Sequence, residues 1–262
     1  MEIAGYIASL FIGISLGLVG GGGSILTVPV LVYLFSISPT LAISYSLFIV
    51  GFTSMVGAFN NYRLGFINFK IALLFGSSSI ITVFVARKFI IPKLPDVFFQ
   101  IGSFTVTHSL FVMVMFSLLM LTASFSMIRN KMVQTENKTK KQPAALVIYG
   151  LLIGLVTGFL GAGGGFLLIP ALVILMRLTM KQAIGTSLLI IALNSLIGFV
   201  GDLGLHVVNW KFLSIVTAIA IAGIFIGGFF NHKVNGDKLK VGFGWFVLIT
   251  GIYIIIRETF FQ

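Results

Sequence analysis

The sequence contains no cysteine and few charged residues. Of its 262 residues, none is Cys and only 9% are charged, whereas 58% are hydrophobic. The lack of Cys excludes disulfides, thiolate metal sites and cysteine redox chemistry. About a quarter of the residues in a soluble domain are charged, so this composition does not fit one. Apolar runs of about 18 residues or more recur along the chain, and each is long enough for a transmembrane helix.

Neither a secreted soluble domain nor an outer-membrane barrel fits this hydrophobicity. The apolar runs continue through the whole chain, which a signal peptide followed by a soluble domain would not show. Runs such as 219–230 do not alternate apolar with polar residues, as strands of an outer-membrane barrel do. The sequence therefore predicts an all-α polytopic membrane protein in a lipid bilayer. The net charge of +11 is spread over loop positions, which indicates topology and anion attraction rather than nucleic-acid binding.

Acidic residues are scarce, and all six lie in loops or at the ends of predicted helices. They are Glu2, Asp96, Glu136, Asp202, Asp237 and Glu258. Cation pathways usually need carboxylates buried in the membrane, so we expect no sodium or metal substrate. No two His have metal-ligand spacing and no nucleophile–base pair stands out. We therefore expect no metal site, no cofactor and no enzymatic activity.

The second half of the chain matches the first half in one continuous register. The segment GLVGGGGSILTVPVLVYLF (17–35) falls on GFLGAGGGFLLIPALVILM (158–176), and the register continues without a gap. Matched pairs include Gly20 and Gly161, Pro29 and Pro170, Ser46 and Ser187, and Ser54 and Ser195. Duplication explains this repeat register, and transporters are commonly built from repeats. We expect an N-terminal repeat over 1–128 and a C-terminal repeat over 144–262, joined by a basic linker over 129–143.

Two apolar segments, 24–36 and 165–177, are too short to cross a bilayer. At 1.5 Å per residue each reaches roughly 20 Å, against a hydrocarbon core of about 30 Å. Each follows a glycine cluster. We therefore expect each repeat to open with a glycine-broken helical hairpin, followed by three membrane-spanning helices.

Charge predicts the orientation. The basic linker 129–143 is expected in the cytoplasm. If 145–177 enters and returns, the basic loop 231–240 is also cytoplasmic and both termini lie outside. If 145–177 crosses once, that loop lies outside, against the positive-inside rule. The first case is favoured, and each repeat then crosses an odd number of times, so the repeats are inverted. Three basic residues do not fit this topology, because they would lie outside: Arg87, Lys88 and Lys93.

The glycine clusters are the strongest candidate for a binding site. They comprise Gly20, Gly21, Gly22 and Gly23 with Ser24, and Gly161, Gly163, Gly164 and Gly165. Glycine lets a backbone approach a ligand closely, and the free N–H groups at a helix start favour an anion. Ser24 stands where an N-cap would. The alternative is that these small residues serve tight helix packing.

Neutral hydrogen-bonding side chains follow each cluster. The candidate substrate-binding residues are Ser46 and Ser54 in one repeat, and Thr186, Ser187 and Asn194 in the other. Serines eight residues apart lie near one helix face. Alternatively, such residues bond their own backbone or bridge helices.

Three ionisable residues are candidates for proton transfer or gating. Arg63 either attracts an anion or is a topology signal. Asp202 either carries protons or caps a turn. His108 lies inside the apolar segment 97–128, where it either relays protons or bonds a carbonyl.

Two copies of the pattern G-x-x-G-x-G-G-(G/S)-x-(I/L)-x-(V/I)-P resemble the TauE/SafE sulfite-exporter family. The second copy, followed by KQAIGTSLLIIALNSLIGFVGDLG, is the closer match. Positions that match the family pattern are Gly20, Gly22, Gly23, Pro29, Ser46, Gly161, Gly163, Gly164, Pro170, Thr186 and Ser187. The resemblance implies a secondary carrier or exporter of sulfite or an organosulfonate in a prokaryotic inner membrane.

The expected function is transport of a small anion, bound between the two glycine-broken hairpins near the membrane midplane. A passive channel for a small anion or neutral solute is the alternative. A membrane scaffold is disfavoured, because it gains nothing from interrupted helices. A homo-oligomer is compatible with this function.

Overall fold

The structure, a computed structural model, consists of ten α-helices and one short β-hairpin in the part of the chain that it describes. The described residues are 2–95, 97–101, 104–129, 143–161, 163–205, 207–231 and 236–260. The helices are α1 (Glu2–Val19), α2 (Thr27–Tyr33), α3 (Pro39–Arg63), α4 (Phe69–Val85), α5 (His108–Arg129), α6 (Pro143–Leu160), α7 (Gly165–Met176), α8 (Met180–Asp202), α9 (Trp210–Asn231) and α10 (Gly236–Phe260). The predicted linker lies almost wholly outside the described residues.

Both predicted glycine breaks are present. After α1, Gly20 adopts φ 74°, and a 3₁₀ segment over Gly21–Leu26 leads into α2, which has only 7 residues. After α6, Gly161, Gly163 and Gly164 all have φ near 65°, and α7 has 12 residues. Glycine takes this left-handed conformation without steric cost. The clusters therefore end one helix and start a short one.

Four described helices are long and apolar enough to cross a membrane. They are Pro39–Arg63, Phe69–Lys93, Met180–Asp202 and Trp210–Phe229. The apolar windows of α3 and α8 are each 72% buried, against 44% for α4 and 39% for α9, so α3 and α8 form the centre. The expectation that α5 and α10 also cross stays a prediction.

The two central helices run antiparallel and cross closely. Gly51 on α3 packs against Leu196 on α8, and Gly57 packs further along against Leu188. Residue numbers therefore rise along one helix as they fall along the other. Buried apolar side chains of both helices belong to one hydrophobic core.

The outer helices pack through small residues. A Cβ on Gly13 of α1 would collide with the carbonyl of Ala220 on α9. A Cβ on Gly154 of α6 would meet the carbonyl oxygen of Ser79 on α4 at 2.5 Å. Small residues allow this close approach of backbones in membranes. The α1–α9 and α4–α6 pairs are thus fixed by sterics.

The segment between α4 and α5 differs from the sequence-based expectation. Instead of one apolar run over 97–128, strands β1 (Val97–Ile101) and β2 (Phe104–Thr107) form an antiparallel hairpin, and α5 begins only at His108. Aromatic and β-branched residues dominate this stretch, and they favour strands. His108 therefore lies at a helix start rather than inside a span.

Candidate functional site

The N-terminus of α7 has no side-chain cap for its first backbone N–H groups. Its N-cap residue, Gly164, is left-handed and offers no side-chain cap. The first N–H groups of an α-helix have no acceptor within the helix. Together with the helix dipole they attract negative charge. This turn is therefore an anion-favouring end inside the bundle.

Two hydroxyl groups lie against this turn. A Cβ built on Gly163 would stand 3.3 Å from Ser195 Oγ, and one built on Gly164 would collide with Thr157 Oγ1. Thr157 belongs to α6 and Ser195 to α8. The helix before the glycine break, α6, and the helix beside it, α8, thus each place a hydroxyl against the backbone of Gly163 and Gly164.

These hydroxyls have no hydrogen-bond partner among the residues described. Ser195 Oγ, Thr157 Oγ1 and the neighbouring Asn194 Oδ1 are all buried and unpaired, although Asn194 Nδ2 donates to Ser79 Oγ at 2.6 Å. Burying an unsatisfied polar group costs about 1–3 kcal/mol. Such groups in a folded protein call for an explanation, and a ligand site is one.

The equivalent region of α3 also has unpaired hydroxyls. Thr53 Oγ1 and Ser54 Oγ are buried without a hydrogen-bond partner in the described ranges. Ser54 occupies the position of Ser195 in the repeat register. Predicted residue Ser54 therefore keeps a free hydroxyl donor, as contact with an anion requires. The free atom of Asn194 is the acceptor Oδ1, because its donor Nδ2 is bonded to Ser79.

The two glycine clusters touch each other. A Cβ on Gly21 would overlap Gly165 Cα, and one on Gly165 would overlap Gly21 Cα. No ligand fits between these two residues, because their backbones are already in contact. Any anion bound at the α7 turn would have to lie on the other side, next to Gly163 and Ser195. The side chains of Ile191 and Val50 also pack there, since a Cβ on Gly163 would stand 2.8 Å and 3.0 Å from them.

The remaining glycines of the first cluster pack against neighbouring helices. Gly20 lies against Ile184, where a Cβ would stand 3.0 Å from Cγ2. Gly23 lies against α1, where a Cβ would stand 2.7 Å from the backbone N of Leu16. Gly22 is part of the 3₁₀ segment between them. This half of the first cluster therefore also serves packing.

Matched serines have different partners. Ser46 Oγ on α3 donates to the carbonyl of Gly161 at 2.9 Å, across 115 residues of chain. Ser187 Oγ on α8 donates to the carbonyl of Ile184, one turn before it in the same helix. Ser46 thus fixes the second glycine break, whereas Ser187 makes only a local bond.

Two further predicted residues are also bonded within the protein. Ser24 does not act as an N-cap: it lies within the 3₁₀ segment and donates to the Gly21 carbonyl at 2.7 Å, while α2 is preceded by Leu26. The 3₁₀ geometry moves the helix start past Ser24. Thr186 Oγ1 accepts a bond from the backbone N–H of Asn68 at 3.0 Å, just before α4.

Arg63 and His108 lie away from the α7 turn along the chain. Arg63 ends α3 at an exposed position, with its guanidinium 4.5 Å from the centre of the Phe59 ring. His108 is the first residue of α5. Their roles in gating or proton transfer stay predictions.

Asp202 lies at a helix end, as expected, but it is buried, which corrects the inference that the chain has no buried carboxylate. Its side chain is 5% exposed, and Oδ2 lies 3.1 Å from Nη1 of Arg87, whose side chain is 3% exposed. Arg87 follows α4 in a short π-helical turn over Ala86–Ile90. The charge pattern alone indicates only a loop charge at Arg87. An Arg in an apolar segment is itself a functional signal.

An apolar cavity lies between α1, α2 and α10. It has a volume of about 720 Å³. Phe11, Pro29, Tyr33, Phe246 and Tyr253 are among its lining residues. Such walls do not suit an anion, so this cavity is separate from the α7 turn.

Interrupted short helices inside a bundle of membrane-length helices define a multi-pass membrane protein of the transporter type. The family described as "Sulfite exporter TauE/SafE" matches residues 6–254, and the chain belongs to that family.

Curated relatives have names of the same kind. A "Probable membrane transporter protein" of Xylella fastidiosa is 30% identical over 250 residues, which cover 94% of this chain and 92% of the relative. The "Probable membrane transporter protein YdhB" of Bacillus subtilis is 27% identical over 233 residues, covering 87% and 90%. No solved structure matches the chain significantly. The chain is thus a member of a family of membrane transporters.

Proposed function

We propose that this protein is a secondary transporter, in the exporting direction, of a small anion bound at the N-terminus of α7. The observation that carries the proposal is the pair of buried, unpartnered hydroxyls of Thr157 and Ser195 against an uncapped helix start. An oxyanion there accepts hydrogen bonds from both hydroxyls and from backbone N–H groups. It thereby satisfies groups that are otherwise costly to bury.

Sulfite or an organosulfonate is the proposed substrate class. A pyramidal or tetrahedral sulfur oxyanion presents three oxygens, which suits several donors converging from α6, α7 and α8. The sulfur itself rests on the family description alone. The substrate is proposed to be an anion rather than a cation, because the buried carboxylate of Asp202 is neutralised by Arg87 and is not available to a cation.

The two inferred repeats support a site near the membrane midplane, because transporters built from such repeats bind their substrate there. In the repeat register, α1 matches α6 at both ends, and α3 and α4 begin where α8 and α9 begin. Hydrogen bonds correspond as well. The Asn68 N–H bonds Thr186 Oγ1, and the Asn209 N–H bonds Tyr45 Oη; the second pair occupies the swapped positions of the first.

The Arg87–Asp202 contact supports inverted repeats. It places the C-terminal ends of α4 and α8 on the same side of the bundle. An even number of crossings must then separate them. If α5 and α8 each cross once, the α6–α7 hairpin must enter and return. Each repeat then crosses an odd number of times, which inverts the second. With the basic linker in the cytoplasm, both termini lie outside the inner membrane.

The same contact bears on the three basic residues that resist this topology. Arg87 is paired with Asp202, so it does not count as a free loop charge. Only Lys88 and Lys93 remain of these three as basic residues on the outer side. A weaker conflict with the positive-inside rule supports the proposed orientation.

A carrier is favoured over a passive channel by the burial of the proposed site. Thr157, Asn194 and Ser195 are each about 1% exposed or less. An anion at this turn is occluded from both sides, as alternating access requires. Countertransport separates the two functions: preloaded unlabelled sulfite accelerates uptake of labelled sulfite through a carrier but not through a channel.

The test uses purified protein with sulfite, sulfate, thiosulfate and methanesulfonate, in binding assays and in proteoliposomes. We expect Thr157→Val and Ser195→Ala each to lower affinity roughly tenfold or more, because hydrogen bonds to charged groups are worth about 1.5–3 kcal/mol. Thermal stability should stay equal or rise, since each change removes an unsatisfied buried group. Ser77→Ala is the matched control, because this exposed hydroxyl bonds only the Leu74 carbonyl.

Unchanged affinity in both variants would exclude the α7 turn as the anion site. Reduced stability with unchanged affinity would assign the two hydroxyls a structural role. Failure of the unaltered protein to bind or transport any of the four anions would overturn the proposed function itself.

A further inference from the structure

We infer that Arg87 is a second anion-binding residue, which holds the oxyanion side-on through Nε and Nη2 between the α7 turn and the nearer membrane face. The inference rests on the proposed function, since it assumes that the cargo is an oxyanion. It adds a residue that sequence patterns do not single out.

Asp202 occupies only part of the guanidinium. Its two carboxylate oxygens lie 3.1 Å and 3.5 Å from Nη1. Arg87 Nε and Nη2 are buried and have no hydrogen-bond partner in the part of the chain that the structure describes. Two charged donors are therefore left unsatisfied in a low-dielectric environment, which is costly.

The unpaired donors form one edge of the guanidinium. Nε–H and one N–H of Nη2 point in the same direction, at the spacing of two oxygens of a carboxylate, phosphate or sulfonate. This fork binds planar or tetrahedral oxyanions through two parallel hydrogen bonds. A monatomic anion gains less from it. The geometry thus selects oxyanions by shape as well as charge.

Asp202 gives the site the properties of a transit point. Its carboxylate neutralises the buried guanidinium of Arg87. Without Asp202 the fold would contain an uncompensated charge. The carboxylate also repels an anion at the neighbouring edge, and this lowers affinity. A transported ion must be bound strongly enough to enter and weakly enough to leave.

The position of the pair fits a path to the α7 turn. Ser195 and Asp202 lie on the same helix, seven residues apart, or about 10 Å along its axis. A Cβ on Gly201 would stand 3.0 Å from Arg87 Cβ, so the Arg backbone is held close to α8. Asp202 is the last residue of α8. An anion leaving the α7 turn along α8 therefore reaches Arg87 before the helix ends.

The Arg87–Asp202 pair has no charged counterpart at the equivalent positions of the other repeat. In the repeat register, the positions of Arg87 and Asp202 correspond to Gly228 and Asn61, which are both neutral. Asn61 Nδ2 donates to the Gly57 carbonyl in its own helix. If the repeats are inverted, only one membrane face has the guanidinium, and the protein is functionally asymmetric.

The experiment compares the unaltered protein with Asp202→Asn, Arg87→Lys and the double variant R87Q/D202N. The double variant removes both buried charges, so it should fold, whereas Arg87→Gln alone would take away the guanidinium that neutralises the buried Asp202 carboxylate. Sulfite, methanesulfonate and chloride are the probes, and size-exclusion profiles and thermal unfolding check the fold.

We expect R87Q/D202N to lower sulfite transport and methanesulfonate affinity roughly tenfold or more. Arg87→Lys should lower methanesulfonate affinity while chloride affinity stays unchanged, because Lys keeps the charge and loses the fork. Asp202→Asn leaves the buried guanidinium without its carboxylate and should lower stability, while a folded Asp202→Asn protein should bind the anion severalfold more tightly because the repulsion is gone. Arg87→Lys keeps the inference testable if the double variant does not fold.

Full binding and transport by a folded R87Q/D202N, or equal methanesulfonate affinity in Arg87→Lys, would overturn the inference. If Ser195→Ala lowers affinity in the same assays, the proposed function survives this failure. If the unaltered protein binds none of the probes, the proposed function fails and the inference fails with it.

Discussion

The hydroxyl of Ser46 donates a hydrogen bond of 2.9 Å to the carbonyl oxygen of Gly161. The bond joins a central helix of the first half to the glycine break of the second. Gly161 has φ 65°, and this bond helps to hold its peptide in place. The shape of the α7 turn therefore depends on α3.

Ser46→Ala should lower both stability and transport. Loss of one hydrogen bond between helices in a membrane costs about 0.6 kcal/mol on average and up to ~1.7 kcal/mol. The shift in thermal midpoint and the rate of sulfite efflux measure the two effects. Ser187→Ala is the matched control at the equivalent position, since its hydroxyl bonds only Ile184 in its own helix. Equal effects of both substitutions would contradict a special role for Ser46.

Gly165→Ala should disrupt the contact between the two glycine clusters. The added methyl group would overlap the backbone of Gly21, which has no side chain to move away. Overpacking of this kind costs about 1–3 kcal/mol or more. Thermal unfolding of purified protein measures the loss. Gly242→Ala on α10 is the control, because a Cβ there meets nothing within 4 Å. A stable Gly165→Ala protein would show that the clusters separate without cost.

Local sequence signals predict the two glycine breaks. The other features of the fold depend on contacts between residues that are far apart in sequence. Glycines and prolines at matched positions indicate interrupted helices, because glycine permits a left-handed backbone and proline lacks an N–H donor. The hydrophobic run over 97–107 is ambiguous, since short apolar runs fit strands as well as helices. The Arg87–Asp202 pair joins residues 115 apart in sequence, which no local pattern reveals.

The same limit applies to the candidate site. Ser46 and Ser187 match in the repeat register, yet one bonds across the bundle and the other within its helix. No sequence pattern selects Thr157, because a lone Thr in an apolar helix usually bonds its own backbone. Its position four residues before Gly161 is the only hint. Which hydroxyls stay free is a property of packing, not of sequence spacing.

Gly13→Val and Gly154→Val should each destabilise the protein, because both residues lie against a carbonyl of a neighbouring helix. The partners are Ala220 on α9 and Ser79 on α4. A β-branched side chain forces these helix pairs apart, at a cost of about 1–3 kcal/mol or more. Gly76→Ala is the control, since its nearest atom would be 3.9 Å away. Similar losses of thermal stability in the two variants are expected if the interfaces are equivalent. A marked loss in only one would contradict that equivalence.

The absence of cysteine makes the inverted topology directly testable, since any introduced Cys is the only thiol in the chain. Leu64 and Leu205 lie in the turns after α3 and α8 and are 49% and 44% exposed. Inverted repeats place them on opposite sides of the membrane. Leu205→Cys should react with a membrane-impermeant maleimide in intact cells, and Leu64→Cys only after permeabilisation.

Permeabilised cells give the maximum labelling of each variant, and the cysteine-free parent gives the background. Labelling of both variants from one side would show parallel repeats and remove the basis for a charged site at one face only. Reversed labelling would keep the inversion but put the linker outside. In that case the side chain of Arg87 would meet the anion from the cytoplasm, where an exporter first encounters its substrate.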